Sequence, residues 1–138
     1  MSADEKYILD LCDVVLGTVA SRQHKFDFLM GDPNHNGRRQ RLPVDAYYPS
    51  FNLVIEYREK QHSEPIKIMD RRATISGCSR GEQRKRYDEF RRQVLPRHGI
   101  TVIELDYSMF AHDRRKRLRR DRLADEATIR LKLGAFLE

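Results

Sequence analysis

The apolar positions of the chain change period several times, and each change marks an element. Ile8, Leu9, Cys12, Val15, Leu16 and Val19 recur at helical steps. They predict a helix over residues 3–20, capped by Ser2 or Asp4 and weakened at Gly17. "KFDFLMG", residues 25–31, reads as a strand, and "DPNHNGRRQ" follows as a loop of turn formers. Two more strands are expected at about 41–48 and 52–59, joined by a tight turn at Ser50 and Phe51. Residues 63–81 hold no sustained period and read as a long loop. Ser79 and Glu82 form a capping-box pattern that opens a helix at about 81–95. Tyr87, Phe90, Val94 and Leu95 lie on its apolar side, and Pro96 and Gly99 close it. "ITVIELDY", residues 100–107, is a strand. The tail, 119–137, reads as an amphipathic helix carrying Leu123, Ile129, Leu133, Phe136 and Leu137.

The order α-β-β-β-α-β-α predicts an α/β fold, a mixed four-stranded sheet flanked by helices. The last strand is reached through a helix, so a parallel crossover is expected. With 138 residues the chain reads as one domain, core about 3–107, with a basic run and C-terminal helix over about 108–138. No apolar run approaches a membrane span, and the acidic N-terminus lacks a signal-peptide pattern. Cys12 and Cys78 lie far apart without metal-ligand spacing. A cytoplasmic protein with reduced thiols is expected, with neither a membrane partner nor a nucleotide cofactor.

Against this pattern two acidic residues stand out. Asp45 and Glu56 interrupt the apolar runs on either side of the turn. A two- or four-residue loop centred on Ser50 and Phe51 pairs residues whose numbers sum to 101, which sets Asp45 directly across from Glu56 on one face. A three-residue loop would break that register. Facing carboxylates repel each other, and burial adds to the cost. A retained proton, an arginine bridge from Arg58, or a divalent cation would each relieve it. A hard cation such as Mg²⁺ suits carboxylate oxygens, and Glu5 could add a third. Glu5 lies three and four residues before Ile8 and Leu9, on the apolar stripe, whereas Asp10 projects away. "EKQH" then places Lys60 to stabilise charge, Gln61 to orient a water and His62 to act as acid or base.

Charge narrows the substrate. The chain carries 27 Lys+Arg against 21 Asp+Glu, a net +6. Residues 1–70 hold 9 basic and 11 acidic side chains, and residues 71–138 hold 18 and 10. The second half is also arginine-rich, and arginine pairs bidentately with phosphate. Arg38 and Arg39 in the first loop, Arg58 on the third strand, Arg80, Arg84 and Arg91 on the second helix, and Arg114, Arg115 and Arg117 in the basic run are candidate nucleic-acid contacts. A metal-binding acid pair on such a surface points to phosphodiester hydrolysis.

"VDAYYPSFNLVIEYREKQH" resembles the core of the PD-(D/E)XK, restriction-endonuclease-like nucleases. The resemblance is nearest to the subgroup of very-short-patch repair endonucleases and phage-type homing endonucleases. Val44-Asp45-Ala46, Ile55-Glu56-Tyr57 and Gln61-His62 carry it, with the helix 81–95 and "HGITVIELDY" as its continuation. It implies a Mg²⁺- or Mn²⁺-dependent DNA endonuclease. Asp45, Glu56 and Glu5 would be the metal ligands, and Gln61 would stand where such subgroups replace the motif lysine. Two positions depart from the pattern. Arg58 occupies the plain motif's lysine position and can stabilise charge but not act as a base. Glu59 follows where a glycine is usual. A catalytically inactive nucleic-acid-binding module on the same fold therefore stands as the alternative, and a protein-interaction domain for an acidic partner as a third reading. A one-site nuclease that cuts both strands must dimerise or act twice, which makes a homodimer a candidate assembly.

Overall fold

Ser2 opens the first helix, accepting a hydrogen bond from the Glu5 N–H at 3.1 Å. Gly17 ends it in the left-handed region, at φ 72°. Helix α1 therefore spans Ala3–Leu16 in the computed structural model, which describes residues 1–59 and 80–137. Val19, expected on the helical stripe, lies past that stop and is 79% exposed.

Strand β1 (Ser21–Pro33) and strand β2 (Arg39–Tyr48) form a long hairpin. The loop expected after residue 31 shrinks to residues 34–38, because strand pairing extends through polar residues that carry no period of their own. Asn34 holds the turn, its Oδ1 accepting from the N–H groups of Asn36 and Arg38, both at 3.0 Å. After a 3-10 turn at Pro49–Phe51 come β3 (Leu53–Arg58), α2 (Arg80–Arg97), β4 (Thr101–Asp106) and α3 (Arg122–Lys132). The predicted cap Ser79 lies outside the described residues, and Pro96 falls in the last turn of α2 rather than beyond it. The tail helix is shorter than expected and ends in a 3-10 turn at Gly134–Phe136. Its Asp121 cap accepts from the Ala124 N–H.

The sheet order is β1-β2-β3-β4, antiparallel except for the parallel pair β3–β4 that the α2 crossover requires. The fold is α/β, a mixed four-stranded sheet flanked by three helices in the predicted order. One face packs Tyr48, Ile55 and Leu105 against Ile8, Leu9 and Cys12 of α1 and Ile129 of α3. The other packs Val44 and Val54 against Leu95 of α2. Each such side chain contributes about 1.5–3 kcal/mol through burial. Leu123 belongs to neither face and is 83% exposed, so the apolar stripe of α3 is narrower than its composition suggests. Tyr48 Oη donates to Asp13 Oδ1 at 2.5 Å, and Asp13 pairs with Arg22 at 2.8 Å, tying α1 to the hairpin. Among the described residues no helix is long and apolar enough to cross a membrane.

Candidate functional site

The β2–β3 hairpin has the register its turn predicts. Ala46 pairs with Ile55, Tyr47 with Val54 and Tyr48 with Leu53. Asn52, left-handed at φ 48°, completes the loop. Beyond Ala46–Ile55 the regular ladder stops. There the Asp45 N–H donates to Glu56 Oε2 at 2.7 Å, and the Tyr57 N–H donates to Asp45 Oδ2 at 2.8 Å. The expected cross-strand stack of two carboxylates is thus corrected: each acid takes a backbone donor of the opposite strand, in place of the ladder's carbonyls. The cause is a break in alternation. Leu42 and Val44 point to the α2 side, yet Ala46 and Tyr48, also even-numbered, point to the α1 side. The switch falls at Asp45. Its neighbour on β1 is Gln23, which sits between the paired residues Arg22 and His24 and adopts φ 51°.

Glu56 is 1% exposed. Burial, then the Asp45 charge, raises its carboxyl well above the usual range, while Arg58 and Arg91 pull it back. Arg91 Nε lies 3.3 Å from Glu56 Oε1 and Arg58 Nη2 3.7 Å. Arg58 is nearer to Asp88, at 3.0 Å, although neither its Nε nor its Nη2 has an acceptor aligned for a hydrogen bond. Arg58 therefore pairs with one acid of the couple. Arg91, expected to face nucleic acid, is largely buried between Glu56 and Asp88 and donates to the Pro43 carbonyl at 3.1 Å. Sequence offered no sign of this beyond the i,i+3 spacing of Asp88 and Arg91.

Glu5 reaches the same region from α1. Its Oε2 is buried without a hydrogen-bond partner among the described residues. Its carboxyl is pushed up to about 7, first by burial and then by the Asp45 charge, with Glu59 adding to the effect. The Asp45 charge raises the proton affinity of both Glu5 and Glu56, and a divalent cation suits a set of hard carboxylate donors. Glu5's orphaned oxygen is the specific feature that such an ion would satisfy. Among the described residues, no three ligating side chains are drawn together tightly enough to enclose an ion. Lys60, Gln61 and His62 lie outside the described residues.

A cleft of about 560 Å³ lies between the start of α1 and the basic segment, bordered by Asp4 and Glu59. Arg114, Arg115, Lys116, Arg117, Arg120 and Glu59 line it. The other candidate arginines are dispersed. Arg38 is exposed at the β1–β2 hairpin tip, Arg39 folds back onto the Gly31 carbonyl at 2.8 Å, and Arg80 and Arg84 are exposed on the first turns of α2.

The architecture and the site define an α/β mixed-sheet domain with a carboxylate pair, Glu56 buried and Asp45 half-buried, at a divergent hairpin. No family model, no curated protein and no solved structure matches the chain.

Proposed function

We propose that the chain is a Mg²⁺-dependent endonuclease of the restriction-endonuclease-like type, hydrolysing phosphodiester bonds in DNA. The observation that carries this reading is the Asp45 charge bearing on both Glu5 and Glu56, together with a cleft lined by five cationic side chains and bordered by Asp4 and Glu59. The element order and the position of the acid pair agree with the resemblance to that family. Asp45 and Glu56, with Glu5, would hold the ion. When bound, Mg²⁺ supplies charge neutralisation at the phosphate and a more acidic water. Arg91 and Arg58 favour the ionised form of Glu56. The arginine cleft positions the strand without reading its bases.

The test is cleavage of supercoiled plasmid, single-stranded and mismatched DNA with Mg²⁺ or Mn²⁺. Wild-type protein nicks at least one of them, and both EDTA and Asp45→Ala abolish nicking. Absence of cleavage on all three substrates would reject the enzyme reading.

One observation favours the inactive binding module: Arg91 and Arg58 already stand 3.3 Å and 3.7 Å from Glu56 Oε1. Calorimetric Mn²⁺ titration separates the two. A single site lost in Asp45→Ala supports the enzyme, whereas nucleic-acid binding with no heat of Mn²⁺ binding supports the module.

A further inference from the structure

The basic cleft has a construction that a merely solubilising surface does not need. Residues 112–118 form a tight hairpin, bridged at His112 and Leu118. Asp113 Oδ1 accepts from the N–H groups of Arg115 at 2.8 Å and Arg117 at 3.1 Å. Lys116 and Arg120 adopt left-handed backbone, at φ 66° and 59°, which costs free energy for residues with a Cβ. Both are steadied by aromatic rings, Lys116 over Tyr107 and Arg120 over Tyr7. Asp4 pins the segment to α1, accepting from the Leu118 N–H at 3.0 Å and from Arg120 at 3.2 Å. The result is a fixed backbone that carries a cluster of like charges. Among the described residues Arg114, Arg115 and Arg117 have no side-chain ion pair or hydrogen bond. Glu59, directly after β3, lines the cleft and its charge bears on Glu5, so the cleft borders the acid of the first helix.

We propose that this cleft is a single-strand subsite, gripping consecutive backbone phosphates of a nucleic-acid strand whose next bond lies at Asp45 and Glu56. A volume of about 560 Å³ is that of a small-ligand site. A space of that size takes in the backbone of one strand and not both strands of a duplex. A hairpin backbone already fixed by Asp113 and Asp4 lowers the ordering cost of bringing these cations together on one strand. The substrate class follows: an unpaired strand, or the unpaired arm of a junction or mismatch. The position of the scissile bond rests on the nuclease reading above, whereas strand binding does not.

The test is fluorescence anisotropy of a labelled single-stranded oligonucleotide in EDTA, where no hydrolysis intervenes. Arg114→Ala/Arg115→Ala/Arg117→Ala is expected to weaken binding at low salt by roughly tenfold or more. It should also flatten the plot of log affinity against log salt by about 2, from three contacts at about 0.7 each. Lys25→Ala/Lys85→Ala/Lys132→Ala removes the same charge from exposed positions outside the cleft and should keep the wild-type slope. A blunt duplex should bind more weakly and lose less in the arginine variant. The proposal is overturned if wild-type protein does not bind the strand, if the lysine variant flattens the slope equally, or if the duplex loses as much. Competition by polyglutamate at matched charge would also overturn it, by showing a general polyanion site. Strand binding without cleavage would reject the nuclease reading and leave the subsite standing.

Discussion

Glu5 carries a carboxylate into apolar surroundings and leaves one oxygen without a partner among the described residues. Its carboxyl titrates at about 7 in the folded chain against an ordinary 4.5. Between those values the folded chain holds a proton that the unfolded chain has released. Stability contributed by this group is therefore lost as pH rises through that window. Glu5→Gln keeps the shape and removes the titration. Its thermal midpoint relative to wild type should climb between pH 5 and pH 8. A difference that stays flat over that range would mean that Glu5 ionises normally. The inward placement of Glu5 was legible, because it shares the spacing of Ile8, Leu9 and Cys12. The pairing of Arg91 with Glu56 was not. It joins residues 35 positions apart, through a helix whose docking angle no local pattern encodes.

At the scale of elements, α2 meets β1 through a close approach at Gly31. A Cβ there would lie 2.9 Å from both Leu42 Cδ2 and Tyr87 Oη. Tyr87 cannot easily retreat, since its hydroxyl accepts from the Asp32 N–H at 2.7 Å. Gly31→Ala is expected to destabilise by about 1–3 kcal/mol, through overpacking, in denaturant melts. An unchanged midpoint would show that this contact is loose. The β2–β3 register was readable from Pro49, Ser50, Phe51 and Asn52 alone, because turn chemistry is local. The long β1–β2 hairpin was not. Residues 32–33 and 39–40 are polar turn formers by sequence, and only a partner strand makes them extended.

For the whole molecule, the Asp45 charge acts against the ionised forms of both Glu5 and Glu56, an unfavourable term that a bound divalent ion would relieve. Under the nuclease reading, Mn²⁺ at a hundredfold excess over its dissociation constant stabilises the folded chain by about 2.7 kcal/mol. The thermal midpoint should rise with Mn²⁺ at pH 7.5, and Asp45→Ala should remove the rise. An equal rise in wild type and variant would place the ion elsewhere. The −2 and +8 halves of the chain meet in the fold where Glu59 and Asp4 border the arginines, so the charge asymmetry becomes one cleft.

The chain by itself determined the order of its elements, the parallel crossover, the hairpin register and the inward face of α1. Each of these depends on period, capping or turn residues within a few positions. Tertiary structure alone decided that Asp45 and Glu56 exchange backbone donors, that Arg91 rather than a surface phosphate meets Glu56, and that five cations enclose a cleft. These depend on a change of face at Asp45 and on the packing of α2 and the basic hairpin. They are set by contacts between residues far apart in the chain, where hydrophobic pattern carries no information.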